Sequence, residues 1–125
     1  MEKPNQDMIN HFYTYHTHLL VFESKKAAEK HVLATEGAEF EWMRGLLYAS
    51  HKNLQTAKRS AHMWTIELKS KVTYTTPNEP ILLLSYITPE SFDGDYWHVI
   101  VGERVGWIIA YGWLHMKLLE KQNGK

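Results

Sequence analysis

The chain contains no cysteine. That excludes a disulfide framework, thiol catalysis and cysteine-held zinc, and it suits the cytosol better than a small secreted scaffold. Nor is there a surplus of either charge: fourteen Lys and Arg balance fourteen Asp and Glu, so no global field draws nucleic acid, anionic lipid or an acidic partner. No apolar run approaches the roughly 20 residues that a membrane-spanning helix needs. The opening, MEKPNQDM, lacks the basic-then-apolar order of a secretory signal. These absences lead us to expect a soluble, cytoplasmic protein without a membrane partner. The motifs G-x-x-x-x-G-K-[ST], G-x-G-x-x-G, G-x-S-x-G and H-E-x-x-H are missing as well, so phosphate cradles, hydrolase elbows and zinc-protease chemistry have no support.

What is present is a chain of 125 residues, enough for one domain with a core of its own. Its most informative stretch runs from Asp93 to Leu119. Trp97, Val99 and Val101 alternate with Tyr96, His98 and Ile100, as a two-sided strand requires. Gly102 and Glu103 reverse the chain, and Val105, Trp107 and Ile109 resume the alternation. Gly106 sits between two bulky residues of that second strand, which fits a place where a side chain or a neighbouring backbone crosses closely.

The first half reads as helical. Met8, Phe12, Tyr15, Leu19 and Phe22 recur at steps of four and three, one stripe of a helix, although Tyr, Thr, Val and Phe over His16 to Phe22 also suit a strand. Ser24 is placed to cap a helix over Lys25 to Ala34, with Gly37 as its break. From Ala38 to Met63, Met43, Leu47, Leu54, Ala57 and Ala61 form a second stripe, with Lys52, Lys58 and Arg59 off it. Such helices need cover: each other, the strands, or a second copy in a homodimer.

After that the period changes to two at Trp64, Ile66 and Leu68, followed by Val72 and Tyr74. Residues 75–80 contain Pro77 and Pro80 and make a loop, Ile81 to Ile87 is an apolar run suited to a buried strand, and residues 88–95 form another loop.

Eight histidines raise the question of a metal. His11 and His18 lie seven apart on a helical face, and His16 and His18 would share one face of a strand, but without convergent partners these read as hydrogen-bonded or solvated side chains. Glu36, Glu39 and Glu41 read as charges favouring a helix start rather than as acid-base catalysts. We therefore expect no metal, no cofactor and no enzymatic activity.

The order of the acidic turn Asp93, Gly94, Asp95, the aromatics Tyr96 and Trp97, a short strand, a Gly-containing turn and then Gly106, Trp107 and a hydrophobic pair resembles the C-terminal half of a Src-homology-3 domain. The resemblance covers about half the chain. It implies a five-stranded barrel over 63–120, and together with the helical reading of residues 1–62 and a disordered polar tail over 121–125 it leads us to expect an α+β protein. It also implies a protein-protein interaction module whose aromatic groove grips its partner. Tyr74, Tyr96, Tyr111 and Trp113 match or lie nearest the groove positions. Ile109 stands where the groove proline is expected, the segment before Trp113 is one residue longer, and Glu79 alone replaces several loop acids; these departures bear on proline-peptide binding and leave the barrel intact. The alternative is a nucleic-acid-associated protein that meets phosphates through Lys52, Lys58 and Arg59 and stacks bases on Trp64, Tyr74 or Tyr96.

Overall fold

The hairpin that the alternation predicts is present. One strand runs Asp95–Val101, the next Arg104–Ala110, and the pairing from Asp95↔Ala110 to Val101↔Arg104 leaves Gly102 and Glu103 as a two-residue turn. Gly102 has φ 64°, and a positive φ at the first turn position matches the right-handed twist of the flanking strands.

A computed structural model describes residues 9–36, 49–90, 94–110 and 116–118. In chain order its elements are β1 (Phe12–Thr14), β2 (His18–Phe22), α1 (Lys25–Glu36), β3 (Ser50–His51), α2 (Leu54–Leu68), β4 (Val72–Tyr74), β5 (Ile81–Ile87), β6 (Asp95–Val101), β7 (Arg104–Ala110) and β8 (Lys117–Leu118). The strands form one open antiparallel sheet in the order β3-β2-β7-β6-β5-β1-β8, with β4 paired to β2. Strands from both halves of the chain share it.

This corrects the expected fold class. A helical N-terminal region followed by a five-stranded barrel is not what forms. Residues 12–22, read as helical, hold two strands, because Phe12, Leu19 and Phe22 do not belong to one stripe: Leu19 faces one core, Phe22 the other, and Phe12 lies in neither. All five residues of β2 are buried, since both its faces are covered, and a strand buried on two sides shows no alternation to read.

The second misreading is the converse one. Trp64, Ile66 and Leu68 were expected in a strand, yet α2 runs through them, capped by Asn53, whose Oδ1 accepts from the Gln55 and Thr56 amides, and ended by Lys69 in the left-handed conformation. Ala57, Ala61 and Trp64 are its buried stripe, whereas Ile66 is 59% exposed. Leu54, expected in the stripe, is 44% exposed; Met43 and Leu47 lie outside the described residues. The expected cap of the first helix is realised, with the Ala27 amide donating to Ser24 Oγ at 3.1 Å.

The sheet has two cores. On one face Tyr13, Leu19, Val21, Ile81, Leu83, Trp97, Val99, Val101 and Ile108 pack together, with Tyr13 edge-on to Trp97 at 5.1 Å. β1 and β2, three residues apart, pair with β5 and β7, the outer strands of the meander, so the sheet curls around this core. The opposite face carries Leu20, Phe22, Tyr96 and Ile109 against Ala27, Ala28 and Val32 of α1 and Ala61 and Trp64 of α2. Small residues on both helices permit close approach to the sheet. β2 in turn crosses β7 at Gly106, where an added Cβ would stand 2.7 Å from the Phe22 carbonyl oxygen and from Val21 Cγ1.

Candidate interaction face

The helices cover only part of their side of the sheet, and the strand register shows which part remains open. The row Ile87↔Tyr96↔Ile109 runs under α1 at its β6 and β7 positions, so Tyr96 is 5% exposed and the Lys25 ammonium stands 5.8 Å from its ring centre. Next comes the row Ser85↔His98↔Trp107, in which the imidazole stacks on the indole at 4.6 Å with 15° between the planes. The third row, Phe12↔Leu82↔Ile100↔Val105, crosses four strands, and among the described residues no helix lies over it. Three of its side chains are half-buried, and Val105 is 58% exposed.

Phe12, Leu82 and Ile100 also line an open cavity of about 340 Å³, together with Pro80, Gly102 and Glu79. Its rim is rigid. Arg104 donates from Nε to the Val101 carbonyl, from Nη1 to the Tyr74 carbonyl at 2.6 Å, and from Nη2 to Glu79 Oε2 at 2.8 Å. Glu79 Oε1 accepts from the Thr76 amide at 2.9 Å. One guanidinium thus ties the end of β4 and the loop of residues 75–80 to the β6–β7 hairpin. Beyond Arg104 a second shallow cavity, of about 260 Å³, is lined by Val21, Glu23, Lys71, Thr73, Glu103 and Val105. There the Lys71 amide and the Ser70 hydroxyl donate to Glu23 and hold its carboxyl below the ordinary value of 4.5.

Of the residues expected to form the site, Tyr96 is corrected. It was expected in an accessible groove, but α1 lies on its face of the sheet. Tyr74 is half-buried, edge-on to His18 at 6.1 Å. Tyr111 and Trp113 lie outside the described residues. The open rows were missed because Phe12, Leu82 and Ile100 are ordinary apolar residues whose adjacency exists only in the register; His98 and Trp107 carried a signal, as alternate-face neighbours on the hairpin.

Elsewhere the polar groups read as structural. His18 Nδ1 lies 3.0 Å from the Thr75 carbonyl, which makes it the donor nitrogen, and His51 is its cross-strand neighbour. His31 is buried between the Phe22 and Trp64 rings. Among the described residues neither carboxylate oxygen of Asp95, which is 1% exposed, has a hydrogen-bond partner, and the same holds for Trp97 Nε1 two residues along on the same face. Among the described residues no three His, Asp or Glu converge on a metal position, and no helix is long and apolar enough to cross a membrane. No protein-family model matches the chain, and neither the curated proteins nor the solved structures contain a significant match to it.

Proposed function

We propose that the chain is a non-enzymatic interaction module that holds a protein partner on the open face of its sheet. The observation that carries this reading is the row Phe12, Leu82, Ile100 and Val105, which no element among the described residues covers, flanked by the stacked His98 and Trp107. Contiguous exposed apolar surface is costly in water and is a usual mark of a binding site. An aromatic at its edge supplies a large anchor with few rotatable bonds, the kind whose truncation commonly costs about 2 kcal/mol or more. The Arg104–Glu79 tie keeps the rim in one geometry before binding, which lowers the ordering cost of association.

Ile100→Glu should release the partner in capture experiments from the native host while keeping the melting temperature near that of the parent, and Trp107→Ala should release it too, at some cost in stability because the indole also packs against the helix-side core. Leu33→Glu, on the exposed surface of α1, serves as the control and should retain it. Loss of capture in the control with retention in both face variants would refute the assignment.

A further inference from the structure

The helical layer carries a feature that the sheet-face reading does not use. Over residues 52–71 the chain places Lys52, Lys58, Arg59, Lys69 and Lys71 against the single acid Glu67, although the protein as a whole is neutral. The helix α2 turns Ala57, Ser60, Ala61 and Trp64 to the sheet. Its opposite side therefore presents Gln55, Arg59, His62 and Ile66 at steps of four, three and four, with Lys58 beside them, and all five are exposed. Among the described residues neither Lys58 nor Arg59 has an ion-pair or hydrogen-bond partner. On α1, which packs on the same side of the sheet, Lys26 and Lys30 are exposed and equally unpaired.

We propose that this crest of α2 is a binding surface for duplex DNA. Charge complementarity selects a polyanion, because unpaired cations sit at the middle of the helix and at both of its ends. The residue types select among polyanions. A 15-residue helix is about 22 Å long, and the major groove of B-form DNA, about 12 Å wide, admits one helix. On its crest Arg has the paired donors that suit guanine N7 and O6, Gln has the donor–acceptor pair that suits adenine N7 and N6, and an exposed Ile suits a thymine methyl group. Lys52 at one end and Lys69 at the other are placed to meet phosphates on either side of the groove. A-form RNA has a deep, narrow major groove that a helix does not enter, which directs the assignment to DNA.

The test is fluorescence anisotropy of a labelled DNA duplex of about 20 base pairs titrated with the full chain, from about 25 to 200 mM NaCl. With about four phosphates neutralised, affinity should fall by about 100-fold between 50 and 200 mM salt. Lys58→Glu combined with Arg59→Glu should lower affinity at least about tenfold at fixed salt, with an unchanged melting temperature because both side chains are exposed. Absence of binding by the parent chain at the lowest salt would overturn the proposal, as would a double variant that binds like the parent. Equal retention on vesicles of phosphatidylcholine with phosphatidylglycerol, or equal affinity for an RNA duplex, would show a surface for anions in general and would also overturn it.

Discussion

Replacing Gly106 by alanine tests the crossing of β2 over β7 on which the two cores depend. The new Cβ would stand 2.7 Å from the Phe22 carbonyl oxygen and 2.7 Å from Val21 Cγ1. Ordinary contact begins near 3.4 Å, so the strands must separate by several tenths of an ångström at a point where neither can yield easily. Phe22 is paired with Trp107 and its ring is fully buried in the helix-side core, while Val21 is seated in the other. Overpacking of this kind costs about 1–3 kcal/mol, and a fixed main-chain carbonyl among the clashing atoms puts the cost in the upper half of that range. Loss of glycine's freedom in the unfolded chain offsets about 0.5–1 kcal/mol. The net destabilisation should be about 2 kcal/mol. Urea unfolding followed by tryptophan fluorescence reads it directly: with a slope of about 2 kcal/mol/M, the midpoint should fall by about 1 M with the slope unchanged. A midpoint equal to or above that of the parent would show that β2 does not pass where this reasoning places it.

Leu54→Ala should change stability by less than about 1 kcal/mol because the residue is 44% exposed and lies in neither core, whereas Leu83→Ala, fully buried, should cost about 2–5 kcal/mol by the same urea assay. Asp95→Val removes a buried carboxylate that has no hydrogen-bond partner among the described residues and should raise the midpoint by the equivalent of about 1–2 kcal/mol; a lower midpoint would show that the carboxylate is held after all. Burial pushes the phenols of Tyr13 and Tyr15 above their ordinary value of 10. Above pH 10 the unfolded chain therefore releases phenolic protons that the folded chain keeps, so stability present below pH 10 should decline as pH rises beyond it, and Tyr13→Phe should flatten part of that decline.

Local chemistry was legible wherever a residue's role is decided by its immediate neighbours in the chain. The alternation from Tyr96 to Ile109 and the Gly102–Glu103 reversal follow from backbone geometry alone, and both form as read. Ser24 capping α1 and the close approach at Gly106 belong to the same class, since a hydroxyl before a helix and a glycine between bulky strand residues each have few physical meanings. Tertiary contacts decided the rest. Residues 12–22 could satisfy a helical or an extended pattern, and β2 extends because β4 and β7 supply hydrogen bonds on its edges and two cores cover its faces. Trp64, Ile66 and Leu68 alternate in sequence yet continue α2, because Trp64 lies one helical turn after Ala61 and completes a stripe that reaches the sheet. Most consequential for the candidate site, strand parity placed Tyr96 and Ile100 on the same face but could not say how far α1 would reach along it. The helix lies over Tyr96, and the residues that no described element covers are those where its cover ends.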